Sequence, residues 1–294
     1  MIKVIASDMD GTLLDNNHML NERTIAAIKA AQKAGIRFMI STGRSFKQVE
    51  HVMKDVGIKC DYIVSSGAEI RNEDNEILQS SCMNMEDCRA VYEVLSKYNV
   101  TTIFGGEDGD YCIGSTSERE QELIDHMRTF HPNLSEEECR ESELFQFMIK
   151  NTKVVSSFEE LEKSNTRIIK IFATSNDLEL LKKADAKLQE NPNIAVAASF
   201  ENNIEVTDVQ AQKGIALKKY IESLGYTMDE VMVFGDSMND YSMISMDFGA
   251  TIAMENAMQK IKDVAKYTTK SNAEDGVAYV IEELLKYKND KFIF

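Results

Sequence analysis

The sequence predicts an α/β fold in which a doubly wound parallel sheet is interrupted by a smaller α+β unit. Short apolar runs alternate with amphipathic stretches near both ends of the chain, and short loops join them, as in parallel βαβ units. Polar clusters follow several of these runs, where the carboxyl ends of parallel strands form a ligand-binding crevice. The middle of the chain carries hairpin-like patterns, which indicate a unit that folds separately.

The first part of the core is predicted from this alternation. Residues 2–6 are an apolar run before a glycine break and predict a buried strand. Asn21 is placed to cap a helix that runs to Ala34, and Gly35 is placed to end it. The pattern continues through a second strand, a second helix and a third strand, over residues 36–40, 45–56 and 62–64.

An asparagine-rich turn at residues 72–76 lies between two short extended segments and predicts a hairpin, which we expect to leave the sheet. Beyond it the pattern becomes mixed, with acidic, largely helical stretches between residues 117 and 151. In this middle region we expect helices over residues 86–98 and 177–190, and strands over 100–104, 110–113, 167–173, 194–199 and 203–207.

The last part of the chain returns to the first pattern. We expect a helix over residues 213–224, strands over 231–234 and 250–253, and helices near 257–264 and 274–285. The simplest domain division is a core formed by residues 1–82 and 209–294, with residues 83–208 inserted as a cap domain.

Composition limits the class of protein and its partners. A net charge of −16 over 294 residues argues against binding nucleic acid or an anionic membrane. No apolar run approaches the ~20 residues of a membrane span, and five scattered cysteines without a Cys-x-x-Cys pair indicate reduced thiols rather than disulfides or zinc. We therefore expect a cytoplasmic monomer or weak homodimer, with its four scattered histidines at the surface.

Asp8 and Asp10 stand at the carboxyl end of the first predicted strand, one residue apart. Because carboxylates this close raise each other's pKa, they require a cation or a shared proton. Gly11 permits a sharp turn and Thr12 supplies a hydroxyl group. An aspartate-rich turn after a strand is common in α/β proteins, but the full Asp-x-Asp-Gly-Thr pattern is a much stronger signal.

Three more clusters lie where predicted strands end or helices begin. Thr42 and its neighbours suit phosphate oxygens, although the same residues could form an ordinary strand-to-helix turn. Lys213 lies at a helix start, against the helix dipole, and is of interest only as a counter-charge for phosphate. The third cluster supplies oxygen ligands of the kind that Mg²⁺ needs, although an Asx-rich helix cap would look alike. Its sequence is Gly235-Asp236-Ser237-Met238-Asn239-Asp240.

Together these clusters resemble the four motifs of the haloacid dehalogenase (HAD) superfamily, whose core is a Rossmann-like sheet. The similarity is closest to the Cof-type (IIB) branch of capped phosphatases, which usually has Asn-Gly-Ala where this chain has Ser66-Gly67-Ala68. The matching segments of that branch are Ser41-Thr42-Gly43-Arg44, Asn256-Ala257 and Asn272-x-Glu274-Asp275-Gly276-Val277.

The resemblance implies a phosphatase acting on small phosphorylated metabolites, with sugar phosphates favoured and Mg²⁺ as cofactor. Asp8 would be the nucleophile that forms an aspartyl-phosphate, and Asp10 the acid and base. Mg²⁺ would be held by Asp8, the backbone carbonyl of Asp10, and Asp236, with Asp240 orienting Asp236 and Lys213. The phosphoryl oxygens would be bound by the Met9 backbone, Thr42, Gly43, Lys213 and Asn239. Arg44 would either reach the leaving group or structure its own loop.

Three other functions fit parts of the pattern. A sugar phosphomutase would need a strongly basic cap, whereas residues 83–208 are rich in Glu and Asp. A non-catalytic phosphoacceptor switch would need a long-lived aspartyl-phosphate, which an acid and base at Asp10 would destroy. A binding protein on a degenerate phosphatase fold is disfavoured because all the motif residues are present.

Overall fold

The computed structural model describes residues 1–131 and 133–287, and these divide into two compact units. One unit is formed by Met1–Ser81 together with the chain from Gln210 onward, and the other by Cys82–Val209. Residues 288–294, the end of the predicted core segment, lie outside the described residues. None of the described helices is long and apolar enough to cross a membrane.

The first core segment alternates strands and helices. Its elements are β1 (Val4–Ser7), α1 (Glu22–Lys33), β2 (Arg37–Ser41), α2 (Phe46–Met53), β3 (Asp61–Val64), β4 (Glu69–Arg71) and β5 (Ile77–Ser80). Asn21 stands at the N-cap of α1 as predicted, and Ser45 caps α2 through a capping box with Gln48.

The second unit continues the chain with mixed elements. Its helices are α3 (Met85–Lys97), α4 (Thr116–Phe130), α5 (Glu136–Glu141), α6 (Glu143–Asn151), α7 (Phe158–Lys163) and α8 (Leu178–Leu188). Its strands are β6 (Thr101–Gly106), β7 (Gly109–Ile113), β8 (Thr152–Val155), β9 (Ile168–Thr174), β10 (Ile194–Ala197) and β11 (Asn203–Asp208). The strands form one sheet in the order β10-β11-β9-β6-β7-β8, in which only β7 and β8 pair in parallel.

The last core segment completes the first unit. Its elements are α9 (Lys213–Ser223), β12 (Val231–Gly235), α10 (Tyr241–Ile244), β13 (Ala250–Ala253), α11 (Gln259–Val264), β14 (Tyr267–Thr268) and α12 (Gly276–Lys286). The core sheet runs β14-β13-β12-β1-β2-β3-β4-β5, and it is parallel from β14 to β3. This order confirms the predicted α/β class and the doubly wound sheet.

The predicted hairpin does not leave the sheet, and that part of the prediction is wrong. β4 pairs antiparallel with β3 and β5 with β4, so the hairpin forms the edge of the core sheet. The reason lies in the turn Ser65–Gly67, where three consecutive positive φ angles reverse the chain directly after β3. β4 is therefore returned alongside β3.

The centre of the core sheet is apolar and closed to water. Val4, Ile40 and Phe234, on β1, β2 and β12, have no exposed surface. β1 lies between β2 and β12, in register Ala6 to Met39 on one side and to Val233 on the other. The residue that follows β1 is therefore held at the middle of the sheet's carboxyl edge.

Candidate active site

Asp8 and Lys213 form a buried ion pair at the carboxyl end of β1. The Asp8 N–H donates to the Phe234 carbonyl at 3.1 Å, so the backbone of Asp8 still belongs to the sheet. Lys213, the first residue of α9, has no exposed surface, and its Nζ lies 2.6 Å from Asp8 Oδ1 and 2.6 Å from Asp240 Oδ1. These two ion pairs outweigh the unfavourable helix dipole at this position.

Asp240 has protein donors on both of its carboxylate oxygens. Oδ1 accepts from Lys213, and Oδ2 accepts the backbone N–H groups of Asp236 at 2.9 Å and Ser237 at 3.1 Å. Asp240 itself is fully buried. Its geometry therefore fixes both the lysine and the start of the turn that carries Asp236.

Asp236 is held by the turn that follows Asp10. Thr12 Oγ1 donates to Asp236 Oδ1 at 2.7 Å. Gly11 lies so close that a Cβ atom built there would be 2.5 Å from Asp236 Oδ2, and its φ of +75° also favours glycine. The glycine and threonine of the first motif thus pack on the aspartate of the last.

The carboxylates at the carboxyl edge of the core sheet outnumber the positive charge of Lys213 that pairs with them. One oxygen from each of Asp8, Asp236 and Asp240 lies within 4.8 Å of the others. Burial, followed by the charge of Asp240, raises the pKa of Asp8 well above its usual value and that of Asp236 to about 7. Burial alone would lower the pKa of Lys213, but the charges of Asp240 and Asp8 raise it instead. A cluster of carboxylate oxygens with surplus negative charge fits Mg²⁺, which takes hard oxygen ligands.

The Asp10 side chain lies outside that group and contacts the side chains of Arg44 and His18. Arg44 donates from Nε to Oδ2 at 2.7 Å and from Nη2 to Oδ1 at 2.6 Å, and His18 Nδ1 lies 3.2 Å from Oδ1. Burial alone would raise the pKa of Asp10, but the hydrogen bonds from His18 and Arg44 lower it. This contact with Asp10 is neither of the two roles considered for Arg44, which were to reach the leaving group or to structure its own loop.

His18 is a site contact that the sequence reasoning missed. We expected all four histidines at the surface, whereas His18 is half-buried against Asp10. The signal that could have found it is Asp15, whose carboxylate accepts the N–H groups of Asn17 and Met19, each at 2.9 Å. His18 lies within this tight turn and has a φ of +57°.

Thr42 directly follows β2, and both its backbone N–H and its hydroxyl oxygen already make hydrogen bonds. Its backbone N–H donates to the Ile63 carbonyl at 2.8 Å, and its Oγ1 accepts from the Arg44 N–H at 3.2 Å. The hydroxyl is therefore the group of Thr42 that can turn to a phosphate oxygen. The other predicted phosphate ligands are a buried Met9, a half-buried Gly43 and Asn239, whose Oδ1 accepts from Ser237 Oγ at 2.9 Å.

The turn at Ser66 contacts both the segment of Thr42 and Arg44 and the residue before Lys213. The Ser65 N–H donates to the Arg44 carbonyl at 2.8 Å, and the Ser66 N–H to the Thr42 carbonyl at 3.0 Å. A Cβ on Gly67 would lie 2.6 Å from the carbonyl carbon of Gln212, the residue before Lys213. Position 66 therefore supports the site through its backbone.

Comparisons with known proteins identify the family of this chain. A family model described as haloacid dehalogenase-like hydrolase matches residues 5–281. The 5-amino-6-(5-phospho-D-ribitylamino)uracil phosphatase YwtE of Bacillus subtilis is 31% identical over 287 residues, covering 97% of this chain and 98% of the relative. Phosphatase YwpJ of the same organism is 29% identical over 293 residues, covering 97% and 100%.

A solved structure also matches over nearly the full length. It is a haloacid dehalogenase-like hydrolase from B. subtilis, with a TM-score of 0.83 at 26% identity, covering 96% of this chain and all of the other. The family model and the full-length relatives thus agree on one superfamily. The chain belongs to the haloacid dehalogenase-like hydrolases, and it is a phosphatase of that superfamily.

Proposed function

We propose that this phosphatase hydrolyses phosphomonoesters of small metabolites, with Mg²⁺ as cofactor and an aspartyl-phosphate as intermediate. The observation that supports this most is the buried Lys213 between Asp8 and Asp240, with Asp236 alongside. Lys213 binds Oδ1 of Asp8, which leaves Oδ2 as the oxygen for attack. The pair also orients a carboxylate that would otherwise repel its acidic neighbours.

In the proposed first step, Asp8 Oδ2 attacks phosphorus and the bond from phosphorus to the ester oxygen breaks. Asp10 first takes up a proton from water, because His18 and Arg44 hold its pKa low, and it then gives that proton to the departing oxygen, which leaves as an alcohol. In the second step water attacks the same phosphorus, Asp10 takes the water's proton, and the bond to Asp8 breaks to release inorganic phosphate. Arg44 and His18 both bind the Asp10 carboxylate, so the leaving group must displace at least one of these contacts.

Asp8, the backbone carbonyl of Asp10, and Asp236 would hold Mg²⁺, with Asp240 orienting Asp236 and Lys213. The ion would neutralise carboxylate and phosphoryl charge, which is where most of the catalysis of phosphoryl transfer arises. The Thr42 hydroxyl, Lys213 and Asn239, with the Met9 and Gly43 backbones, would bind the phosphoryl oxygens. These groups are positioned donors, so they need little reorganisation during the reaction.

For the substrate we propose sugar phosphates and related polyol phosphates. Three relatives that match nearly the full chain are named as phosphatases of 5-amino-6-(5-phospho-D-ribitylamino)uracil, a phosphorylated ribityl chain on a pyrimidine. We further propose that residues 83–208 act as the cap domain, which selects the organic part of the substrate.

The test is phosphate release from a panel of sugar phosphates, polyol phosphates, nucleotides and 5-amino-6-(5-phospho-D-ribitylamino)uracil, with Mg²⁺ and with excess EDTA. We expect Mg²⁺-dependent release, fastest on the sugar or polyol phosphates. Rearrangement of a hexose phosphate without release would favour the phosphomutase. A phosphorylated Asp8 that persists without turnover would favour the phosphoacceptor switch.

A further inference from the structure

The loop between β13 and α11 contacts both of the turns that carry the acidic residues. On one side, the Met258 N–H donates to the Asp236 carbonyl at 2.8 Å. On the other, Asn256 Nδ2 donates to the Gly11 carbonyl at 2.7 Å. This short loop therefore joins the turn of Asp236 to the turn that follows Asp10.

A second asparagine extends the connection. The Asn272 N–H donates to Asn256 Oδ1 at 3.0 Å, and its Nδ2 donates to the Leu14 carbonyl at 2.9 Å and to Asn16 Oδ1 at 3.1 Å. Asn272 is only 8% exposed. The two side chains thus hold the carbonyls of Gly11 and Leu14, which lie within and just beyond the turn Met9–Leu13.

These contacts act on the part of the turn that touches Asp236. Gly11 packs directly on the Asp236 carboxylate, and Thr12 donates a hydrogen bond to it. The carboxylates of Asp8 and Asp236 repel each other, so something must keep the two turns together before a cation arrives. Asn256 is exposed, and its side chain contributes little to the apolar core.

We infer that Asn256 and Asn272 are positioning residues that clamp the turns of Asp10 and Asp236 together and so set the affinity of the site for a divalent cation. This inference rests on the cation site of the proposed function. It assigns a task to two sequence segments, Asn256-Ala257 and Asn272 to Val277, that the proposed chemistry does not use. Neither asparagine touches the substrate in this account; both act through the backbone of residues 11–14.

The experiment measures cation affinity directly, with Mn²⁺ as the probe because it takes the same oxygen ligands as Mg²⁺. Free Mn²⁺ is followed by electron paramagnetic resonance, and the binding that Asp236→Asn removes defines the site. Mutation of the residues that hold metal ligands in place typically changes metal affinity by about 10–100-fold. We expect Asn256→Ala to weaken Mn²⁺ binding by about tenfold with an unchanged melting temperature, and Asn272→Ala to weaken it at least as much.

Gln32→Ala is the matched control. Gln32 Nε2 also donates to a backbone carbonyl of the same unit, that of Lys59 at 2.5 Å, but it holds neither acidic turn. Its removal should leave Mn²⁺ affinity unchanged. The inference is overturned if Asn256→Ala binds Mn²⁺ as the wild type does, if Gln32→Ala loses as much affinity, or if Asp236→Asn removes no binding.

The same proteins separate this inference from the proposed function. Phosphate release is measured in parallel as a function of Mg²⁺ concentration, and we expect Asn256→Ala to need about tenfold more Mg²⁺ for half-maximal rate. A wild type that binds Mn²⁺ but releases no phosphate would contradict the proposed function. The clamp would then still be supported by a loss of Mn²⁺ affinity in Asn256→Ala.

Discussion

At the level of single residues, the site depends on buried ion pairs, above all those of Lys213 with Asp8 and Asp240. The strand-end positions of Asp8, Asp10 and Asp236 were visible in the sequence, because strand ends in a parallel sheet converge, whereas Lys213 was singled out only by the resemblance to the HAD motifs. The burial of Lys213 was not predictable, since a lysine at a helix start is usually solvated and its partner Asp8 is 205 positions away. His18 and Asn256 were missed as contacts for the same reason: both act on neighbours that only the folded loops define.

Replacing Asp8 tests its proposed role as the nucleophile. Asp8→Asn removes the carboxylate proposed to attack phosphorus while keeping its shape, so phosphate release should fall by about three orders of magnitude or more. Circular dichroism should remain that of the wild type. Asp247→Asn is the control, because Asp247 is an exposed aspartate that pairs only with Lys266 among the contacts described. Appreciable turnover by Asp8→Asn would remove Asp8 from its role.

The proposed acid and base at Asp10 has its own signature. Asp10→Asn should lower kcat by about 10²–10⁴-fold, because the leaving oxygen then receives no proton and the attacking water loses none. An aryl phosphate has a good leaving group and needs less protonation in the first step. Where that step limits the rate, the loss should be smaller for p-nitrophenyl phosphate than for a sugar phosphate. Equal losses on both substrates would contradict the acid role.

At the scale of elements, the predicted helices and strands of the core match the observed ones within a few residues, since each carries a strong apolar period and a glycine or cap at its end. β8 and α7 were missed in the second unit, where β8 is a short edge strand of two polar residues followed by two valines. The hairpin of β4 and β5 was misplaced because the positive φ angles of Ser65 and Ser66 leave no mark in the residue types.

A polar network ties α9 to the opposite end of the sheet from the site. Asp61 at the start of β3 is 1% exposed and accepts from Arg37 Nη2 at 2.7 Å and from the Tyr220 hydroxyl at 3.0 Å. Asp61→Asn leaves the guanidinium without its counter-charge, although Arg37 remains about a third exposed. We expect a loss of about 2–3 kcal/mol in the free energy of unfolding.

Urea denaturation measures that loss, and Tyr220→Phe is its companion. Tyr220→Phe removes one hydrogen bond and keeps the ion pair, so it should cost only about 1 kcal/mol. Both variants should keep the wild-type KM, because neither residue contacts the acidic cluster. Equal stability of Asp61→Asn and wild type would show that the network does not stabilise the core sheet.

At the scale of the whole molecule, the core is assembled from two segments that are separated by the second unit. The site therefore exists only when both core segments have folded. The segment before the second unit supplies Asp8 and Asp10. The segment after it supplies Lys213, Asp236 and Asp240. The alternation of strands and helices at both ends of the chain predicted a core made of two segments. The side-chain partners within the second unit were beyond prediction, since its acidic helices carry no chemical motif.

The stability of the second unit should depend on His126 in α4. Burial, and then the charge of Lys170, lowers the pKa of His126 to about 4, with Glu205 opposing; its ring packs on Phe172 at 4.4 Å. The unfolded chain binds the proton more readily, with a pKa near 6.5. The histidine's contribution is therefore fully present above pH 6.5 and is lost as pH falls toward 4.

Urea midpoints at pH 7, 5 and 4 measure this dependence. The wild type should lose more stability across this range than His126→Gln, which cannot take up a proton there. Other groups titrate equally in both proteins, so the difference isolates His126. Parallel pH profiles of the two midpoints would contradict the burial of a neutral histidine.

Asp8 is the residue that we propose to carry the phosphoryl group during turnover. The most direct measurement is an acid quench of the enzyme with Mg²⁺ and its best substrate, in the wild type and in Asp10→Asn, followed by mass spectrometric mapping of the peptides. We expect a phosphoryl group on Asp8 that is absent from Asp8→Asn. Continued Mg²⁺-dependent turnover with no phosphorylated Asp8, or with the phosphoryl group on another residue, would contradict it.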